Sequence, residues 1–513
     1  MPLLRGRALP LALAAVYALL GIGWAVGNAP FTAPDEKAHY LRTLGVSDGA
    51  LVGRRAFYDD PTQTPEARAW VRQLARSVEV PAGLAPDGYD CPVLRPVSAA
   101  CQPDDPSPGG AGREVSAVGT YQPLPYLLPA ATVRLADSAG GADRLARLAG
   151  LLLWAALVTA AALALWGRER GRLSLAGLVV AVTPMVVFVG ASLTGSGLEI
   201  AAALASSAAL LRLTRGADPP AGAWWLAGGS GALLALSRST GPIWVVAGLL
   251  MAMALVGARA SVATLRAHPR PAAAAGAAIA AAGVLNRVWE STYGPHADVG
   301  AGGLRDNLAT GWRQLDGVLT QAIGEFGHLQ VRLPAVDYVV WALMAAALLV
   351  AALTVGTRRE RIALAAAVAG AGAFPVVFFA AFAHYTTSAL QGRHVLPLFV
   401  IVTLAAGEVV YRGRERIPAR LDTPALVSLG VAAAAVQALA WYVNARRWAV
   451  GPDGATWFFG SAAWDPPGGW VVWAVLVAVA AMGLVALMAD AARTNDYASP
   501  ASSGANSSSN SSG

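Results

Sequence analysis

An all-α protein that crosses a membrane many times is the fold class this sequence predicts, and three observations predict it. Of its 513 residues, 56% are hydrophobic and only 13% are charged, which is too apolar for an ordinary soluble chain. The charges bunch between Ala/Leu/Val runs long enough to span a bilayer. The basic residues gather in short clusters between those runs, the bias expected of cytoplasmic loops. The net charge of +7 is therefore a topology signal, and no nucleic-acid partner is expected. High Ala, Gly and Arg with little Lys points to a GC-rich bacterium, hence to a bacterial plasma membrane.

The apolar runs give about twelve spans with both ends inside. Arg5 and Arg7 precede a first span, Ala8 to Gly27, which lacks a cleavage site and reads as a retained anchor. Leu145–Trp166, Leu173–Gly190 and Leu198–Leu213 follow, separated in part by the cluster Arg168-Glu169-Arg170-Gly171-Arg172. Trp224–Leu236 and Ile243–Val256 form a tight, short pair. Ala272–Val288, Val336–Val355, Ile362–Phe382, Val395–Tyr411, Pro424–Val443 and Trp470–Met488 complete the set. One membrane domain is expected over residues 1–490, with outer loops at 28–119 and 289–333, and a Ser/Gly/Asn-rich disordered tail over 491–513.

The first outer loop is expected to hold a helix from Thr64 to Ser77, and a surface or re-entrant helix is expected after it, from Thr120 to Asp137. The loop also holds the two cysteines of the chain, Cys91 and Cys101. A disulfide is expected if the loop faces outward, and a free pair if it faces a reducing compartment. Arg446 and Arg447 fall on the outer side against the charge bias, and read as functional or as snorkelling beside Trp441 and Trp448.

The chemistry-bearing residues gather on that same face. Pro34-Asp35-Glu36-Lys37-Ala38-His39 comes a few residues after the first span. Ionised groups at a bilayer boundary need a partner, a metal or a task. If Pro34 begins a helix, Asp35 and His39 share a face. Asp35 is then a candidate general base, with helix capping as its alternative role. Tyr121 and Gln122 stand beside two prolines, suited to stacking on a sugar or to the interfacial aromatic belt. Glu199, one turn into its span, is expected to face the interior with Arg238 as partner or to touch substrate. In Gln391-Gly392-Arg393-His394, Gly392 lets backbone approach a ligand, and Arg393 offers a planar fork for phosphate. Glu325 and His328 suggest a solvated helix face or a metal pair. No HExxH or Walker loop occurs, and Gly109-Gly110-Ala111-Gly112 reads as a turn. No dedicated metal site is expected.

The order of these motifs resembles a family of bacterial membrane proteins, domain-of-unknown-function family 2142. Pro34-Asp35-Glu36-x-x-His39, Tyr121-Gln122-Pro123-Leu124-x-Tyr126, Ser196-Gly197-Leu198-Glu199-Ile200 and Gln391-Gly392-Arg393-His394-x-x-Pro397 carry the likeness. That family is similar to the C-type glycosyltransferases. The resemblance implies a GT-C-like fold, an outward-facing site and a polyprenyl-phosphate sugar as donor. It implies Asp35 as base, and Glu36 as second acid or metal contact, with or without a divalent ion such as Mg or Mn. It implies Arg393, with Arg238, as the holders of the lipid phosphate; from their placement at the outer face, His39, Tyr121, Gln122, Glu199, Gln391 and His394 are expected to bind substrate. The acceptor would be a cell-envelope glycan or a lipid-linked glycan. Thr194-Gly195 stands where similar proteins carry Asn-Pro. Two other classes are weighed: a flippase for lipid-linked saccharide, and a non-catalytic assembly protein.

Overall fold

The computed structural model describes residues 7–61, 63–103, 111–167, 169–216, 218–299, 302–385 and 391–489. The expected tail, Arg168 and the start of the Gly109–Gly112 run lie outside the described residues. Helix α1 (Ala8–Gly27) is apolar throughout and stops where Asn28 becomes extended. Between its first two long apolar helices in sequence, the chain then builds a layer from α2 (Glu36–Ser47), β1 (Arg54–Arg55), α3 (Pro65–Leu74), β2 (Arg76–Val80), α4 (Cys91–Leu94), β3 (Gly112–Ser116) and α5 (Leu127–Ala130).

The three strands form an antiparallel sheet, order β1-β2-β3, with Arg76 opposite Ser116 and Val80 opposite Gly112. The helix expected over Thr64–Ser77 is shorter. It starts on a Thr64 cap and ends at Ala75, because the alternating Arg76–Val80 segment pairs with β3 instead. Thr120–Asp137 is not one helix. Pro123, Pro125 and Pro129 divide it into two 3₁₀ turns around the single turn of α5.

Helices α6 (Ala139–Leu165), α7 (Ala176–Ala181), α8 (Pro184–Gly190), α9 (Gly195–Leu213), α10 (Ala221–Ser237), α11 (Gly241–Val256), α12 (Ala258–Ala267) and α13 (Pro269–Tyr293) follow. A second loop region holds α14 (Leu304–Arg313), α15 (Leu315–Gly324) and the short ribbon β4 (Glu325–Phe326) and β5 (Val331–Arg332). Helices α16 (Ala335–Val355), α17 (Arg358–Phe382), α18 (Gly392–Arg412), α19 (Asp422–Val450) and α20 (Trp470–Ala489) close the bundle. Glu325 is therefore a strand residue paired with Arg332 at 2.6 Å, and shares no helix face with His328.

Among the described residues, nine helices are long and apolar enough to cross a membrane, and up to eleven spans result if each of two bent pairs counts as one. The expected twelve differ for a physical reason. The third run breaks between α7 and α8 with a 72° bend, and α10 has only 17 residues. The break is possible in an apolar interior because other helices satisfy its backbone. Trp341 Nε1 donates to Val180 O and Gln437 Nε2 donates to Val182 O, while the Thr183 hydroxyl at the break in turn donates to Ala322 O of α15. Helix α9 runs through the centre, buried along almost its whole length, where its Ala, Gly and Ser residues let α6, α10, α11 and α18 approach closely.

The two ends of the bundle differ in chemistry. At one end Arg215 and Arg412 converge on the buried Glu408, Arg170 binds Asp422, and Arg414 binds Glu169. At the other end lie the sheet, the Cys91–Cys101 disulfide and the loops. Arg447 donates to the carbonyls of Pro92 and Val97, and Arg446 to those of Pro452, Gly454 and Ala455. Both arginines therefore fasten loops.

Candidate functional site

The site is built where α2 begins. Asp35 adopts a left-handed backbone, φ 61°, and its side chain makes no capping bond to α2. Aspartate is among the few non-glycine residues that enter that region singly. The capping role considered from sequence is thus unfilled. The carboxylate instead meets Arg393 at the start of α18, with Nη2 donating to Oδ2 at 2.5 Å and Nη1 donating to Pro34 O at 3.2 Å. Arg393 is buried, and its Nε has no partner.

Asp35 remains 54% accessible although protein surrounds it closely. Its carboxylate therefore lines a recess open to solvent. Burial pushes the Asp35 carboxyl up, but the Arg393 and His39 charges, the Arg393 hydrogen bond and His328 together hold it far below the usual carboxylate range. It is an anion at neutral pH.

One turn along α2, His39 Nδ1 lies 2.7 Å from the Tyr126 hydroxyl, and its ring lies 6.0 Å from that of Tyr121. Burial, opposed by Asp35 and aided by Arg393 and Arg238, pulls the His39 pKa down to about 3, so the ring is neutral at pH 7. Arg238, at the end of α10, stacks 5.8 Å from the Tyr121 ring centre and donates to the Ser196 hydroxyl. Asn286 fixes the Arg238 carbonyl at 2.9 Å. A Cβ on Gly195 would meet Arg238, Pro125 and Tyr126 only at ordinary contact distances of 3.7–3.8 Å, so the meeting does not require glycine there. The charges of Arg238, Arg393 and Asp35 all act on His394, and His328 feels Asp35 and Arg393.

Five expected residues therefore converge with Asp35: His39, Tyr121, Arg238, Arg393 and His394. Others do not. Glu36 is fully buried and faces Arg147, whose Nη2 and Nε lie 2.5 and 2.8 Å from its two oxygens. It also accepts from Ala33 N and Leu193 N. The expectation of Glu36 as second acid or metal contact is corrected: its lone pairs are used inside the protein. Gln122 bonds Glu290. Glu199 accepts from Thr240 Oγ1 at 2.5 Å and Trp244 Nε1 at 2.9 Å, and makes no ion pair with Arg238 among the described residues. Gly392 does not face a ligand. A Cβ there would lie 2.4 Å from Ala322 N, so the glycine lets α18 start against α15. Gln391 accepts the His394 N–H on its carbonyl, while its buried Oε1 has no partner.

Sequence reasoning did not find Arg147, which also binds Asp143 at 3.0 Å and the carbonyls of Ala25, Asn28 and Ala29. The signal was present as Asp143 and Arg147, four residues apart at the head of an apolar run. Among the described residues no three His, Cys, Asp or Glu side chains are grouped to hold a metal ion. What stands beside the Asp35 carboxylate is arginine. Arg238 adds a second cation, whose strongest charge partner is the buried Glu199.

The family model of a predicted membrane protein, DUF2142, matches residues 18–402, well over half of the chain. The chain belongs to this family. It is a multi-pass membrane protein with the recess at the loop end of its bundle. The DUF2142 match takes in Asp35, His39, Tyr121, Arg238, Arg393 and His394. No curated protein and no solved structure matches this chain.

Proposed function

We propose that this DUF2142 protein transfers a sugar from a polyprenyl-phosphate donor to a hydroxyl of a cell-envelope glycan or lipid-linked glycan. The observation that carries the reading is the Asp35–Arg393 pair, a base and a phosphate-binding cation joined across 358 residues at the mouth of a membrane bundle. The basic end of the bundle would face the cytoplasm, which turns the recess outward from the bacterial plasma membrane.

The chemistry follows from the charges. A carboxylate held so far below its normal pKa is a poor base while Arg393 grips it. A phosphate of the donor competes for the Arg393 fork, aided by its unpartnered Nε and by Arg238. Asp35 is then released and its proton affinity rises. It takes the proton of the acceptor hydroxyl as that oxygen bonds to the anomeric carbon. The bond from the anomeric carbon to the phosphate oxygen breaks, its electron pair leaving with polyprenyl phosphate, and the configuration inverts. Arg393 and Arg238 stabilise the departing anion. The neutral His39, with Tyr121 and Tyr126, forms an uncharged wall suited to a sugar ring.

The test is transfer from a synthetic polyprenyl-phosphate sugar by purified protein. Asp35→Asn is expected to abolish it, and Arg393→Gln to reduce it at least a hundredfold, with folding intact. Transfer that survives Asp35→Asn refutes the assignment. Movement of the lipid across vesicles without any sugar transfer, unaffected by Asp35→Asn, would identify a flippase instead.

A further inference from the structure

A second charged cavity lies toward the C-terminal end of α2. It measures about 280 Å³ and is lined by Arg42, Arg54, Arg76, Arg113, Asp48 and Glu79. Its two acids are already engaged, Asp48 by Arg134 and Glu79 by Arg113. Arg42 and Arg76 are only 2% and 5% exposed, and among the described residues neither has a carboxylate partner. Arg42 donates to the carbonyls of Ala50, Leu51 and Tyr121, and its buried Nε has no partner. Arg76 donates to the carbonyls of Gln73 and Ala75. Strand pairing also sets Arg55 directly opposite Arg76, a like-charge pair that opposes folding.

Covered cations without counter-charges are costly, and a protein keeps them where an anion joins them. The neighbouring glycines fit this. A Cβ on Gly119 would lie 2.5 Å from Arg76 Cβ, and one on Gly53 would lie 2.7 Å from Ser77 O. Bare backbone is thus what lets the Arg76 side chain sit where it does.

Resting on the transferase reading, we infer that this cavity is a subsite for an oxyanion, phosphate or carboxylate, carried by the acceptor glycan. The cavity shares a wall with the recess. The Arg42 guanidinium bonds Tyr121 O and lies 5.8 Å from the Tyr126 ring, and both tyrosines flank His39. Arg42 is seven residues beyond Asp35 on the same helix, a rise of roughly 10 Å. An acceptor seated here by its anion extends along α2 toward the Asp35 carboxylate. An arginine fork suits either oxyanion.

The test is equilibrium binding to the purified full-length protein of glucose 6-phosphate, glucuronate and neutral glucose. At least one anionic sugar is expected to bind in a saturable, salt-weakened manner, and glucose is not. Arg76→Gln, and the more exposed Arg54→Gln, which spares the fold, are each expected to weaken binding at least tenfold. Asp35→Asn is expected to leave binding intact while abolishing transfer, so that the subsite and the transferase reading fail separately. A response to phosphate alone or to uronate alone names the group recognised. Equal behaviour of all three sugars, or anion binding unchanged in both arginine variants, overturns the inference. Binding lost in Asp35→Asn assigns the anion to the recess and overturns it too.

Discussion

Asp35 and Glu36 are adjacent carboxylates with opposite expected phenotypes. Glu36→Gln removes the charge opposite Arg147, and both side chains are fully buried. It also removes an oxygen that accepts from backbone or arginine, leaving Asp143 as the remaining carboxylate bonded to Arg147. Breaking one member of a buried ion pair costs about 3–5 kcal/mol, a large part of the roughly 5–15 kcal/mol that holds a folded protein together. Asp35→Asn leaves the buried Arg393 without its carboxylate, but with Asp35 54% accessible water screens the loss to about 1–2 kcal/mol, less than for the fully enclosed Glu36 pair, and Asn tolerates the left-handed backbone there. Thermal unfolding in detergent, followed by tryptophan fluorescence, measures both. Glu36→Gln is expected to lower Tm by about 3–5 °C, since the unfolding entropy of a 513-residue chain is roughly 1 kcal/mol/K. Asp35→Asn is expected to lie within about 2 °C of the parent on the same scaling. Equal stability of the two variants would refute the division of labour between them.

Two further outcomes follow from the same geometry. His39 has a folded pKa near 3, below its unfolded value of 6.5, because burial disfavours the charged ring. The unfolded chain therefore binds more protons between those values, and stability falls as pH drops from 6.5 toward 3. His39→Gln should flatten that part of a Tm-against-pH curve, and an unchanged slope would exclude His39 as its source. Gly392→Ala sets a Cβ 2.4 Å from Ala322 N and 2.6 Å from Val318 O. Relief requires the start of α18, and Arg393 with it, to move, at a cost of about 1–3 kcal/mol. Both lower Tm and lost sugar transfer are expected, whereas a variant with normal transfer would mean that Arg393 need not stand where α18 now holds it.

The spans were legible because each is a local property, an apolar run of sufficient length. Where the reading failed, distant residues had intervened. The Leu173–Gly190 run looks continuous, yet α7 and α8 part at Val182, where Trp341 and Gln437 take up the free carbonyls. Thr64–Ser77 overran its helix because Arg76 and Ser77 belong to a sheet completed by Val115 and Ser116. Gly392 looked like a ligand contact and proved a packing contact, since only the fold brings α15 against it. In Pro34-Asp35-Glu36 helical spacing set Asp35 beside His39 and turned Glu36 elsewhere, but the partner of each acid, Arg393 or Arg147, carried no local signal.

By itself the sequence determined a helical membrane protein with its chemistry-bearing residues gathered at one end, because hydropathy and charge bias act within single segments. Only the tertiary structure decided that Arg147 takes Glu36 and Arg393 takes Asp35. Those pairings join residues 111 and 358 positions apart. Which of two neighbouring carboxylates is buried and which lines the recess depends on helices that meet only once the bundle has packed.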